Sequence, residues 1–363
     1  MKSILCAISK ILISVIILQM LTDQSFSQTK SEKIENFMQE YLLKDSFNGS
    51  ILVTEHKKLI YNKSFGYSNI ETLEELNDNS IFNLASLTKQ FTAMAIMILF
   101  ERDKLSYEDE LVKYIPELKP IANRITVRHL LNHTSGLPEY LEENICHAGI
   151  TNQEVINFVI NSEKLSFKPG DQYSYCNTGY VLLAIIVEII SKQTYPKFLE
   201  ENIFKPLLME NSFVYEINKR GAKNLVVGYK EDNIVEKYEI FTYGDGNIYS
   251  TLQDLFKWEQ SLYTEKLVNA ITLEEAFKKC KLNNGNDANY GFGWNISESK
   301  KVVYHRGGWA GANTSITRYI DNQNAIIILS NFTPPNNANM FLMENAIEDI
   351  LADKPISSPQ FGR

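Results

Sequence analysis

The sequence is poor in several things, and each shortage removes a class of explanation. It has four cysteines in 363 residues. Cys6 precedes an apolar N-terminal run, and its loss with a cleaved leader would leave Cys146, Cys176 and Cys280, an odd number. At most one disulfide can then form, so bridges do not hold this fold together. There is no basic surplus: 36 Lys and Arg against 44 Asp and Glu give a formal net charge of -8, which argues against nucleic acid as a partner. No internal repeat, low-complexity tract or coiled-coil pattern is visible. Apolar runs exist but are short, and FTAMAIMILF falls well below the about 20 residues needed to cross a bilayer. A zincin motif is also missing, because His129 and His133 are spaced i, i+4 without a glutamate after His129. The pair reads as a helix face with two structural histidines, and no metal is expected.

What remains is a chain 44% hydrophobic and 22% charged, ordinary for a globular protein with a substantial core. Its first 27 residues look like a secretory signal, with Lys2 and Lys10 early, then ILISVIILQML, then small Ser25 and Ser27 suited to cleavage. Export to a periplasmic or extracellular space is the expectation, with no membrane span left after signal removal. The competing reading is a membrane-anchored structural protein that keeps the segment.

Beyond the leader, KIENFMQEYLLK is an amphipathic helix candidate. Ser50 to Thr54 and Leu59 to Phe65 alternate in β fashion around a polar turn at His56 and Lys57, which reads as a hairpin. From Lys104 to about Asn211 the pattern is mostly helical. Short β runs then return in NYGFGWNI, KVVYHRGG, ANTSITRYI and AIIILSN, with a helix over NANMFLMENAIEDILAD at the end and another begun by Ser250 or Thr251. That order predicts an α+β sandwich. An antiparallel sheet of about five strands, built from both chain ends and flanked by helices, would carry an inserted helical domain at 104–230. The discontinuous α/β domain would comprise 28–103 and 231–355, with 356–363 as a tail.

Three polar elements stand out. In IFNLASLTKQFTAMAIMILFE, Ser86 and Lys89 lie three residues apart at the head of an apolar helix, on one helical face. A serine becomes nucleophilic when a base takes its proton, and burial can lower a lysine enough to do so. The plainer reading is a helix cap beside a solvated lysine. In FKPGDQYSYCNTGYVLL, Tyr175 and Asn177 sit on a loop before a second buried helix, from about Tyr180 to Ile190. A buried tyrosine with a hydrogen-bonded asparagine would explain them equally, and Cys176 between them is expected to be packed rather than reactive. Finally, His305, Arg306, Gly307 and Gly308 end the run KVVYH. Glycines there let the backbone approach a ligand and offer an amide to an oxyanion, or else form only a tight turn.

Taken in order, Ser86-x-x-Lys89, Tyr175-x-Asn177 and His305-x-Gly307 resemble the serine β-lactamase and penicillin-binding-protein superfamily. The likeness is greatest to the branch with class C β-lactamases, D-alanyl-D-alanine carboxypeptidases and related esterases. ITVRHLLNHTSGLP, FKPGDQYSYCNTGYVLL, GNIYSTLQDLFKW and HRGGWAGANTSI also resemble that family's framework, over roughly Glu32 to Asp353. The resemblance implies that Ser86 forms an acyl-enzyme, Lys89 takes or shares its proton, and Tyr175 shuttles a proton to the leaving group. A phenol needs a nearby cation to act as base, which Lys89 can supply. It further implies that Asn177 orients Lys89 and the substrate amide, and that the amides of Ser86 and Gly308 hold the oxyanion. His305 would give a hydrogen bond and, if protonated, a positive charge. No organic cofactor is called for.

The chain departs from the family pattern at Arg306, where a threonine or serine usually helps bind a substrate carboxylate. An inward Arg306 could still take a carboxylate; an outward one would favour neutral esters or amides. The leading expectation is therefore an exported serine hydrolase, a peptidase on D-amino-acid or short peptide substrates or an esterase, with β-lactamase as the alternative. The rival of another class is a non-catalytic penicillin-binding or sensory module. Its ligand is a small molecule or peptide in either case, and its oligomeric state is left open.

Overall fold

Two strands from opposite ends of the chain lie side by side at the centre of one sheet, and their composition explains why. In the computed structural model β1 (Gly49–Glu55) pairs antiparallel with the late strand Asn324–Ser330, from Gly49 opposite Ser330 to Thr54 opposite Ala325. Almost every residue of both is buried. Their alternate side chains face opposite ways, so both faces must be apolar and covered. The structure describes residues 28–44, 47–142, 145–219, 221–230, 234–235, 239–299, 301–333 and 338–356. The leader expected at 1–27 lies outside them, as does the tail expected at 356–363 apart from Ile356.

Among the described residues this sheet has six strands where about five were expected. They are β1, β2 (Lys58–Phe65), β3 (Asn295–Ile296), β4 (Val302–Trp309), β5 (Ala312–Tyr319) and β6 (Asn324–Ser330), in the order β3-β4-β5-β6-β1-β2, all antiparallel. Strand β3 is the last two residues of the expected β run NYGFGWNI. Gly291 and Gly293 interrupt that run, leaving only its end to pair with Val303 and Tyr304. The expected hairpin joins β1 to β2, with His56 and Lys57 at φ 47° and 65°, the paired left-handed conformation that two-residue hairpin turns require.

Among the described residues six helices have ten residues or more: α1 (Lys30–Lys44), α2 (Thr88–Glu101), α3 (Asn152–Asn161), α4 (Asn177–Ser191), α5 (Leu252–Ser261) and α6 (Ala338–Leu351). Helices α1 and α6 cover one face of the sheet. Ile34, Met38, Met343 and Ile347 pack there on Ile51, Val53, Ile326 and Ile328. On the other face Leu52, Ile327 and Leu329 join a larger core with Phe91, Val181 and Trp258 from α2, α4 and α5. Each such side chain contributes roughly 1.5–3 kcal/mol on burial. Of the two proposed caps for α5, Thr251 is used, its hydroxyl accepting the Asp254 amide at 3.2 Å. No helix among the described residues is long and apolar enough to cross a membrane. Cys176 and Cys280 are free thiols.

The two spaced histidines do not share a helix face. The helix Val127–Leu131 ends before His133, which takes φ 57° and turns into the interior, whereas His129 closes the helix start by accepting the Thr126 amide at 3.1 Å.

Arg318 of β5 and Glu259 of α5 form an ion pair at 3.1 Å, with 1% and 0% of their side chains exposed. The guanidinium also lies 4.6 Å from the Tyr263 ring centre. Removing one partner of such a pair leaves an uncompensated buried charge. Glu259→Ala should therefore lower unfolding free energy by about 3–5 kcal/mol, read from denaturant midpoints.

Candidate active site

Ser86 stands at the head of α2 because the chain turns sharply just before it. Phe82 and Asn83 pair with Ser250 and Tyr249, and then Ala85 adopts φ 46° with its amide on Asn83 Oδ1 at 2.9 Å. A left-handed alanine costs about 1–3 kcal/mol and persists only where its surroundings hold it. A single 3₁₀ turn, Ala85–Leu87, feeds into α2. One helical turn on, Lys89 sends its Nζ back to Ser86 Oγ at 3.0 Å.

Lys89 is fully buried. Besides Ser86 Oγ, its Nζ donates to Asn177 Oδ1 at 2.8 Å and to the Asp245 carbonyl at 2.8 Å. Asn177 is the first residue of α4 rather than part of the preceding loop. Asp245 is held by a segment lying on α4: a Cβ on Gly244, φ 103°, would fall 2.3 Å from the Tyr180 carbonyl, so only glycine permits that approach. Burial lowers the Lys89 ammonium to about 8, and the charges of Asp245 and Glu139 act the other way. Both of those carboxyls are themselves raised, chiefly by burial.

Tyr175 has its ring centre 4.8 Å from Lys89 Nζ. Burial of the phenol raises its pKa, while the neighbouring Ser86 hydroxyl opposes the rise. The residue as a whole is 36% exposed, so water at the ring edge tempers that rise. Of these two groups it is Lys89 that carries the depressed value. Cys176 is packed as expected, its thiol pushed up to about 12 by burial.

His305 is buried on β4, with Nδ1 donating to the Arg306 carbonyl at 2.8 Å and Nε2 accepting from the Tyr290 hydroxyl at 2.8 Å. Burial and the Lys89 charge lower it to about 3, so it carries no positive charge at neutral pH, contrary to one expectation. Arg306 faces the opposite side of the strand. There it pairs with Glu344 of α6 and stacks over Phe341, 3.3 Å from the ring centre. It is thus corrected from a candidate carboxylate ligand to a contact between sheet and helix, because side chains alternate along β4. Gly307 is where the strand meets the nucleophile. A Cβ there would sit 2.5 Å from the Leu84 carbonyl and 3.0 Å from the Ser86 amide, whereas one on Gly308 would enter open space.

The structure therefore brings Ser86, Lys89, Tyr175, Asn177, His305 and Gly307 into one cleft, with Gly308 next along the strand, and leaves Arg306 behind the sheet. Four residues that sequence reasoning did not place at the site also gather there. His133 accepts the Cys176 amide on Nδ1 at 3.0 Å and packs 4.3 Å, centre to centre, from the Tyr175 ring. Burial, then Lys89 and His305, hold it well below its usual value, so it is neutral. Tyr290 anchors His305, Glu139 accepts the Asn177 amide, and Asp245 lends its carbonyl to Lys89. His133 had a signal in its place before the Ser135-Gly136 turn; the others have none, since only folding brings them near.

Comparison with known proteins gives the chain its relatives. The Beta-lactamase family model matches residues 33–346. Penicillin-binding protein 4* of Bacillus subtilis is 36% identical over 358 residues, covering 92% of this chain and 78% of that protein. The octameric penicillin-binding protein homologue from Pyrococcus abyssi has 27% identity and a TM-score of 0.77, over 90% of this chain and 78% of the other. EstCE1, described as a hydrolase with promiscuous acyltransferase activity, shares the fold at a TM-score of 0.75 with 17% identity, over 89% and 98%.

The close approach at Gly307 is testable. Gly307→Ala must push β4 away from the turn carrying Ser86, and a displacement approaching 1 Å costs about 100-fold in rate. Labelling of Ser86 by a fluorophosphonate should slow by that order, while Gly308→Ala should cost far less.

Proposed function

The chain belongs to the Beta-lactamase family of serine hydrolases, and we propose that it cleaves a neutral ester or amide through an acyl-enzyme on Ser86. The observation that carries this reading is the buried Lys89 amine, 3.0 Å from Ser86 Oγ and lowered to about 8. In its unprotonated form Lys89 accepts the serine proton as Oγ bonds to the substrate carbonyl carbon. The Ser86 and Gly308 amides are suited to hold the resulting oxyanion, at about 3–4 kcal/mol per donor. Tyr175, whose ring lies 4.8 Å from Lys89 Nζ, would relay the proton to the departing alcohol or amine. Water then attacks the acyl carbon, releasing the acid and restoring the Ser86 hydroxyl.

Neutral substrates are favoured because His305 is uncharged and Arg306 is engaged with Glu344 behind the strand, so neither offers a cation to a substrate carboxylate. A cavity of about 660 Å³ is lined in part by Phe82, Asn83, Val226, Tyr249 and Trp309, the last of these next in the chain to Gly308. Its chiefly apolar wall suits a bulky acyl group. The second reading is a peptidase on D-amino-acid or short peptides, supported by similarity to a protein named for penicillin binding. Export is part of the proposal and rests on the leader pattern; the mass of the mature N-terminus tests it.

Nitrophenyl esters, a D-alanyl-D-alanine peptide and its C-terminal methyl ester, each with a Ser86→Ala control, form the test. Turnover lost in the Ser86→Ala variant, with the methyl ester preferred to the free acid, is the expected outcome. Preference for the free carboxylate would return the carboxypeptidase reading to first place. Because the active form of Lys89 is the unprotonated one, kcat/KM should rise with pH, levelling off above about 8.

A further inference from the structure

Two of the three oxygens around Lys89 Nζ come from segments far apart in sequence, Asn177 at the start of α4 and Asp245 in the loop on α4's flank. One short stretch touches both. Glu139 accepts the Asn177 amide on Oε2 and the Leu141 amide on Oε1, the latter at 3.0 Å. Its neighbour Tyr140 is fully buried, gives its amide to Thr178 Oγ1 at 3.0 Å, and brings its hydroxyl 2.8 Å from Asp245 Oδ2 and 3.0 Å from Thr242 Oγ1. The Pro138 carbonyl accepts the Thr178 hydroxyl at 2.7 Å, locking the stretch onto the helix start. Cys176, the residue before α4, makes no side-chain cap of its own, so Glu139 supplies from outside the acceptor that this helix end lacks.

We propose that Glu139 and Tyr140 act together as a positioning clamp that fixes the two structural acceptors of Lys89 and, with Asp245, provides the negative charge that holds its proton. The clamp rests on the reading of Lys89 as the base for Ser86. Neither clamp residue is a catalytic one: Glu139 uses both oxygens on backbone amides, and Tyr140 is turned toward Asp245. The titratable groups facing Lys89 are the carboxyls of Glu139 and Asp245, the thiol of Cys176, the imidazoles of His133 and His305, and the phenols of Tyr175 and Tyr180. Burial keeps both imidazoles, the thiol and the phenols uncharged at neutral pH. Glu139 and Asp245 are then the members of the set whose charge favours the ammonium.

The test follows Lys89 directly and Ser86 separately. In the intact protein with lysines labelled at ¹³Cε, the Lys89 signal is identified by its loss in Lys89→Arg and its titration midpoint is measured in wild type, Glu139→Gln and Tyr140→Phe. In parallel, the rate of Ser86 labelling by a fluorophosphonate is followed against pH. Removing the Glu139 charge takes away something that favours the ammonium, so the midpoint falls, by about one pH unit, the low end of what a nearby opposite charge does. Tyr140→Phe makes Asp245 easier to protonate and moves the midpoint the same way. The acid limb of labelling should shift with it, so that the rate at pH 7 rises from about a tenth to about half of its plateau. Glu139→Asp, which keeps the charge, should leave the limb near its wild-type position.

An unchanged or raised midpoint in the folded variants overturns the clamp, and Tyr140→Phe decides alone if Glu139→Gln does not fold. Ser86 labelling that proceeds with an unmoved midpoint refutes the clamp and keeps the hydrolase. A shifted midpoint in a protein whose Ser86 never reacts supports the clamp and refutes the hydrolase reading.

Discussion

A lysine amine sealed from water, with no carboxylate among the described residues touching it, is the constraint on which the site depends. A buried ammonium is costly unless oxygens replace its hydration. Here those oxygens come from three places: the turn before α2, the first residue of α4, and a loop pressed against α4 at Gly244. Each is held by the larger core, so loosening α2 against α4 would admit water and return Lys89 toward its ordinary value. The core of the molecule is therefore also an electrostatic component of the site.

The same dry environment acts with opposite sign on acids and bases. It depresses Lys89, His133 and His305 and elevates Tyr175, Cys176, Glu139 and Asp245. The two histidines are thereby removed from acid-base work at neutral pH and serve through fixed hydrogen bonds instead. His133 holds the backbone between Tyr175 and Asn177, and His305 ties β4 to Tyr290.

Much of this was legible in the chain, and the rest was hidden for identifiable reasons. The β1–β2 hairpin, the two buried helices and the closing helix follow from periodicity and turn residues. A sheet built from both chain ends was expected because strands appear at both ends around a helical middle, but the pairing of β1 with β6 was not specified. Ser86 and Lys89 were readable from local spacing, since i, i+3 fixes a face before any tertiary contact forms. Arg306 was not, because a strand position gives alternation but not which face is the cleft, and the answer lay in Glu344, far along the chain on α6. The short strand β3 was blurred by its glycines, and His133 was misplaced because the helix holding His129 stops early. Glu139 and Asp245 have no sequence pattern at all; their roles exist only once separate loops have been brought together.

The three contacts of Lys89 Nζ carry one more consequence. An ammonium has three N–H bonds, and here three oxygens receive them. A neutral amine keeps two N–H bonds and gains a lone pair, so one oxygen must change its role from acceptor to donor. The amide oxygen of Asn177 and the peptide carbonyl of Asp245 carry no hydrogen and can only accept. Ser86 Oγ alone of the three can turn its hydrogen toward nitrogen. The lone pair therefore faces the serine by hydrogen counting, whatever the difference in acidity between the two groups.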